Sequence, residues 1–299
     1  MESLGRAMGA IFATMGAVLA ASNLTLTRKK VTKRTKPRGA AVNLSKRRGE
    51  AICLKLAAVW IAAVVVVIAT QAYESWGPWG YMGFCTPCAL LYVTVPYIFP
   101  GEEERQLPWK DRYITKANLW IAIFSFIGNY WYTHYFYRVL KARYTFDAHR
   151  LNDVPICLYL MTHAYFMFYH AMSNFAIRFI RDAYAAGKRR FFFECAVIGA
   201  MSYATAFGEA LTICAFPYYS FQDRYQAYTL GSAFYGIYFL VSYPMFFSLD
   251  EDARLGARYN TSQWSLQRTA VSALAAGMAV MCLLDFVRLY LGVDFFAAY

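Results

Sequence analysis

The sequence predicts an all-α, polytopic membrane helix bundle of about seven transmembrane helices, and three observations carry that prediction. Only 16% of the 299 residues are charged, whereas a soluble domain carries about 25%. Long apolar runs recur down the chain, each near the roughly 20 residues a helix needs to cross a hydrocarbon core about 30 Å thick. Helices are also the open-ended element that satisfies its own backbone polar groups in lipid. Finally, ten of the basic residues lie in one stretch, Arg28 to Arg48, directly before the first long run.

The chain opens with a weakly apolar segment, Met8 to Leu24, rich in Ala and Met, with Arg6 ahead of it. It reads as a targeting leader or dispensable extension, with an interfacial helix or an extra N-terminal hydrophobic helix as alternatives. Residues 1–44 are thus a leader or basic cytosolic arm, and residues 45–299 a single helical-bundle domain. Its spans are Ala51–Tyr73, Trp79–Phe99, Ala117–Leu140, Val154–Arg178, Phe191–Phe216, Gln226–Phe247 and Thr269–Leu291. The connections are short, and no internal repeat or soluble module interrupts them.

The net charge of +12 is a membrane signal and does not call for nucleic acid. Basic residues beside a span fix orientation and touch anionic lipid. With the Arg28–Arg48 stretch in the cytosol, the cytosolic side collects 22 Lys and Arg and the lumenal side four, which puts the C-terminus in the lumen. All seven cysteines fall in or beside spans. Cys85-Thr-Pro-Cys88 has the spacing of a redox or metal pair, but it sits in an apolar helix with no second pair and reads as packing. Asp-Arg-Tyr occurs at 111–113 and 223–225, on the wrong side of its spans for a G-protein-coupled receptor. The sequons at Asn43 and Asn260 fall on the cytosolic side, and Asn23 depends on the leader.

Ionisable groups inside spans are costly and are functional candidates by default. Here they are His134, His163, His170, Glu194, Glu209 and Asp285, with Arg288 nearby and Asn118, Asn129 and Asn174 as neutral additions. At about 1.5 Å rise per residue, His134, His163, Glu209 and Asp285 converge in the lumenal half of four different spans, roughly 4–10 Å above the midplane. His163 and His170 share a face but stand about 10 Å apart along it, too far for one metal ion. Plainer roles stand beside each: an Asp285–Arg288 pair at i and i+3, a cap or snorkel for Glu194, and interhelical hydrogen bonds for Glu209, His163 and His134. The run Gly128-Asn-Tyr-Trp-Tyr-Thr-His-Tyr-Phe-Tyr137 places Asn129, Tyr130 and Trp131 deeper than an interfacial belt requires. With His134 they suggest an apolar cavity with a few polar tips, suited to a large flat lipid and to a passing cation.

An ordered set of motifs carries a resemblance. Trp109-Lys-Asp-Arg-Tyr113, Lys116-Ala-Asn-Leu-Trp-Ile121, Gly128-Asn-Tyr130 and Thr133-His-Tyr-Phe136 come first. Tyr144-Thr-Phe146, Val154-Pro155, Thr162-His163, Phe168-Tyr-His170 and Ser173-Asn174 follow, then Phe216-Pro-Tyr-Tyr219 and Pro244-Met-Phe-Phe247 with Asp250-Glu251. Together they resemble the cycloeucalenol cycloisomerase, or cyclopropylsterol isomerase, family of plants and algae, from about Ser45 to about Leu291; residues 1–44 lie outside. Ser220 follows Pro-Tyr-Tyr where the family can carry an acidic residue.

The resemblance implies a multi-pass endoplasmic-reticulum enzyme of sterol synthesis, working without a cofactor or metal on a sterol held in the bilayer. It would open the 9β,19-cyclopropane ring of cycloeucalenol to give obtusifoliol. An acid protonates the carbon that becomes the C19 methyl, positive charge builds at C9, and a base removes the C8 proton. Both protons lie on the β face, so acid and base can be neighbours or one relaying pair. A carboxyl held out of water suits the donor role. The expected acid is Glu209 and the expected base His163, with His134 and Asp285 as second choices. Asn129, Tyr130, Trp131, Tyr169 and His170 are the expected walls of the substrate and cation pocket. Sterol binding or transport without chemistry, and a different sterol isomerase, remain open readings of the same cavity.

Overall fold

The computed structural model describes residues 2–29, 43–138, 142–215, 217–221, 223–251 and 263–292, with their side chains except those of 2–3, 103, 132–136, 138, 213–215 and 291. The side chain of His134 and all of Asn260 therefore lie outside the described residues. The described chain is carried by eight long helices: α1 (Glu2–Leu24), α2 (Leu44–Thr70), α3 (Pro78–Ile98), α4 (Tyr113–Arg138), α5 (Ile156–Ala183), α6 (Lys188–Ala215), α7 (Ser232–Phe247) and α8 (Leu266–Leu291). Helix α5 is the hub and packs on α2, α3, α4, α6 and α7, while α8 closes over α4 and α7.

Among the described residues, six segments are long and apolar enough to cross a membrane: Leu4–Leu24, Leu44–Thr70, Pro78–Ile98, Lys188–Thr212, Arg224–Phe247 and Leu266–Tyr290. Helices α4 and α5 have the length but not the apolarity. They are innermost, and α5 spends buried positions on His163, His170, Ser173, Asn174 and Arg178. Protein surrounds those groups in place of lipid, so hydropathy understates α5. The N-terminal segment is the reverse case: α1 is apolar, lies largely outside the core, and docks Phe12 edge-on against Tyr203 and Phe207 of α6, with ring centroids 6.1 and 5.0 Å apart.

Helix α2 begins at Leu44, seven residues before the expected span, because its charged first turns are buried in ion pairs. Asn43 caps it by accepting from the Lys46 amide at 3.0 Å. Gly49 lets it approach α4, since an added Cβ would sit 2.7 Å from the ring of Tyr113. Between α6 and α7, Gly236 lies over the backbone carbonyl of Ser202, where an added Cβ would stand 3.5 Å away; small residues at such crossings are the usual device of membrane bundles.

Consecutive helices from α2 to α8 alternate in direction, so the molecule has two ends. The basic end gathers the starts of α2, α4 and α8 and the end of α5. The opposite end carries two short antiparallel sheets. Strand β1 (Ala142–Tyr144) pairs with the later Tyr219–Phe221 strand, which is β4 in chain order, and β2 (Arg150–Leu151) pairs with β3 (Val154–Pro155). The β2–β3 turn is Asn152-Asp153, with φ of 53° and 61°, the left-handed pair that a two-residue hairpin requires. Arg150 donates to the carbonyls of Asp153, Tyr144 and Phe146 at 2.9, 3.1 and 3.1 Å, which ties the two sheets into one cap.

Candidate active site

Three helices bring one carboxyl into an aromatic chamber. Glu209 lies six residues before the end of α6, Tyr169 lies midway along α5, and Tyr235 is in the first turn of α7. The hydroxyls of Tyr235 and Tyr169 are the hydrogen-bond partners of the Glu209 carboxyl. Protein surrounds that carboxyl, yet Glu209, Tyr165, Tyr169 and Tyr235 all keep accessible surface. Surface left on Glu209, Tyr165 and Tyr169, which protein surrounds, opens to a space between α5, α6 and α7.

The walls of that space are ordered. Tyr165 and Tyr169, one helical turn apart, stack with centroids 6.1 Å apart and planes within 8°. Trp60 of α2 meets Tyr165 at 4.9 Å and 73°. Its indole N–H donates to the Tyr92 hydroxyl at 2.8 Å, which donates to the Cys53 carbonyl at 3.4 Å. Across the space, Thr205 and Tyr243 share a hydrogen bond of 2.9 Å. From the cap, Tyr219 packs on Tyr144 at 5.3 Å. Burial, and then Tyr144 and Tyr165, push its phenol well above its ordinary range.

A second polar group lies on the other side of α5. His163 hydrogen-bonds Asn118 Oδ1 of α4 through Nε2 at 2.9 Å. Thr162 donates to Asn129 Oδ1 at 3.3 Å, and Asn129 donates to the Ser125 carbonyl at 2.9 Å. At the basic end stands an ion network of three cations and three carboxylates. Lys46 pairs with Glu251 at 2.7 Å, Lys116 with Asp250, and Arg178 with Glu50 and, at 3.0 Å, Glu251. Asn174 donates to Glu50 at 2.7 Å, and Asp250 accepts the Trp264 amide at 2.7 Å.

The chain is 42% identical to a curated protein of Arabidopsis thaliana, cycloeucalenol cycloisomerase, over 255 residues, which cover 84% of this chain and 89% of that protein. It belongs to the cycloeucalenol cycloisomerase family. No family model and no solved structure matches the chain.

For a member of the cycloeucalenol cycloisomerase family, the geometry sorts the residues singled out from the sequence. Glu209 and Tyr169 meet. His163 has Asn118 as partner, on α4, whereas Glu209 has Tyr169 and Tyr235. His170 is fully buried, with Nδ1 on the Phe166 carbonyl at 2.7 Å and Nε2 on the Ser242 hydroxyl at 2.9 Å; both ring nitrogens are spent on the core. Trp131 is half exposed and packs on Tyr130, which stacks on Phe126, so these two rings of α4 lie toward the outside of the bundle. Asp285 is on the exposed side of α8. Glu194 is buried between Arg181 at 3.0 Å and Arg190 at 3.3 Å. Among the described residues, no three His, Cys, Asp or Glu side chains gather as a metal site.

Tyr165, Tyr235 and the ion network escaped the sequence reading of the site. The signals were present: Tyr165 stands one turn from Tyr169, and Lys116 and Asp250-Glu251 lie in the motif set. Their pairing joins residues far apart in the chain, which local pattern does not show.

Proposed function

We propose that this chain is an endoplasmic-reticulum membrane isomerase that opens the 9β,19-cyclopropane ring of cycloeucalenol to give obtusifoliol, with Glu209 as the acid. The observation that carries the assignment is a carboxyl facing an internal aromatic space with two phenols, not cations, as its partners. Glu209 delivers its proton to C19 as the C9–C19 bond breaks, and the electrons of that bond form the new C19–H bond. The electron deficit appears at C9. Loss of the C8 proton supplies the pair for the 8,9 double bond, so the reaction consumes no oxidant, reductant or cofactor.

The base belongs on the same sterol face as the acid. The carboxylate left on Glu209 is the group already in place, and His163 is the alternative, approaching from the α4 side of α5. The β1–β4 cap closes the Glu209 end of the chamber and keeps water from the cation. The basic end faces the cytosol and the cap faces the lumen, in keeping with the segregation of basic residues.

The test is conversion in heavy water. Membranes carrying the protein are given cycloeucalenol, and obtusifoliol is examined by mass spectrometry. One deuterium in the C19 methyl is the expected result. Sterol bound by folded protein without conversion would overturn the ring-opening reading in favour of sterol binding or transport.

A further inference from the structure

A cation formed beside Glu209 needs a partner that does not trap it. A carboxylate or an amine could collapse onto it, whereas an aromatic face attracts positive charge through its quadrupole and forms no bond. Tyr130 and Trp131 of α4 do not meet that need, because Trp131 is half exposed and Tyr130 stacks on the exposed Phe126. The rings that share the Glu209 space are Tyr165 and Tyr169 of α5 and Tyr235 and Tyr243 of α7, and of these the α5 pair forms a parallel stack.

We propose that Tyr165 is a catalytic residue whose ring face stabilises the positive charge at C9 of the sterol, with Trp60 and Tyr92 as positioning residues; this rests on the ring-opening reading. Four observations support it. Tyr165 and Glu209 are close enough to interact electrostatically. The stack of Tyr165 on Tyr169, within 8° of parallel, makes one continuous aromatic wall that ends at the carboxyl through the Tyr169 hydroxyl. The wall cannot swing away, because buried Trp60 abuts Tyr165 and is itself locked by the Trp60–Tyr92–Cys53 hydrogen bonds. Tyr165 also retains accessible surface on the hub helix, which a ring serving only as core packing would have lost. The proton donor and the cation-bearing surface thus lie side by side, as protonation at C19 and charge at the adjacent C9 require.

The experiment measures binding of two probes to the full chain in detergent micelles. One is a sterol-shaped tertiary amine, protonated, with its nitrogen at the B/C ring junction; the other is its neutral carbon counterpart. Tyr165→Leu is expected to weaken the amine about tenfold, within the range of a desolvated cation over one ring, and the neutral probe by less than about threefold. Tyr165→Phe is expected to leave both unchanged. Equal losses for both probes, or no loss, would overturn the proposal and leave Tyr165 as a wall of the chamber. Should Tyr165→Leu fail to fold, phenylalanines carrying one to three fluorines at position 165 keep the shape and drain the ring of charge. Amine affinity should then step down with each fluorine, and a flat series overturns the proposal. A wild type that prefers the amine through Tyr165 but does not convert cycloeucalenol counts against the ring-opening reading alone. One that converts cycloeucalenol without that preference counts against Tyr165 alone.

Discussion

The surroundings of Glu209 come from residues that are distant in sequence. Its neighbours on α6 are Gly208 and Ala210, which impose nothing; Tyr169 and Tyr235 arrive from α5 and α7. Replacing it with Gln keeps the shape and both phenol contacts while removing the transferable proton. Turnover of cycloeucalenol by Glu209→Gln should fall about 10²–10⁴-fold, the scale of a general acid, with protein level and insertion unchanged. His163→Gln should cost less than about tenfold. If the two collapse equally in the same membrane assay, the base role returns to His163. His170 shows why residue type alone misleads: an imidazole with both nitrogens bonded and a ring enclosed by aromatics holds helices together.

Helix α2 enters the bundle through its charged first turns, where Arg178 of α5 meets Glu50 and Glu251 after α7 meets Lys46, while Lys116 of α4 pairs with Asp250 beside them. Burying ions is stabilising only when each is paired, and removing one partner of a buried pair costs about 3–5 kcal/mol. Lys116→Met should therefore destabilise the detergent-solubilised protein by about that amount in thermal unfolding. Adding Asp250→Asn should restore most of the loss, since it keeps an acceptor for the Trp264 amide. Glu251 makes the network sensitive to acid. Burial opposes its ionisation, but Lys46 and Arg178 outweigh burial and hold its carboxyl below the ordinary value. It contributes stability that is complete above the unfolded value of about 4.3 and is lost as pH falls through the lower folded value. Glu251→Gln should flatten that acid limb of the stability–pH profile, with no change in slope above neutral pH.

At the scale of the whole molecule, the basic network and the aromatic cap divide the bundle into a charged end and a closed end. The proposed orientation puts the first in the cytosol, and α1 joins the bundle at that end, where Tyr184 donates to Asn23 at 2.7 Å and Lys29 bonds the Ala183 and Arg181 carbonyls. Lys110 and Asp147 are exposed at opposite ends, which makes orientation measurable. In sealed microsomes, a membrane-impermeant thiol reagent should label Lys110→Cys directly and Asp147→Cys only after permeabilisation. The reverse pattern would invert the bundle and place the cap in the cytosol.

The helical bundle and its family were legible in the sequence by itself, because lipid leaves a chain few ways to satisfy its backbone and the motifs run in order along it. Most span ends were legible to within a few residues; α2 starts earlier, where buried ion pairs extend the helix into charged sequence, α7 proper starts later, at Ser232, and α4 and α5 were read as apolar runs although they are the less apolar of the spans. Glu209 stood out because a lone carboxylate in an apolar run is costly. What only the tertiary structure decided is which faces meet. A helix of period 3.6 puts His163 and Tyr169 on different sides of α5, so one faces Asn118 and the other Glu209. Side-chain direction and neighbouring helices, not depth along the membrane, separate the group that contacts the chamber from those that hold its walls.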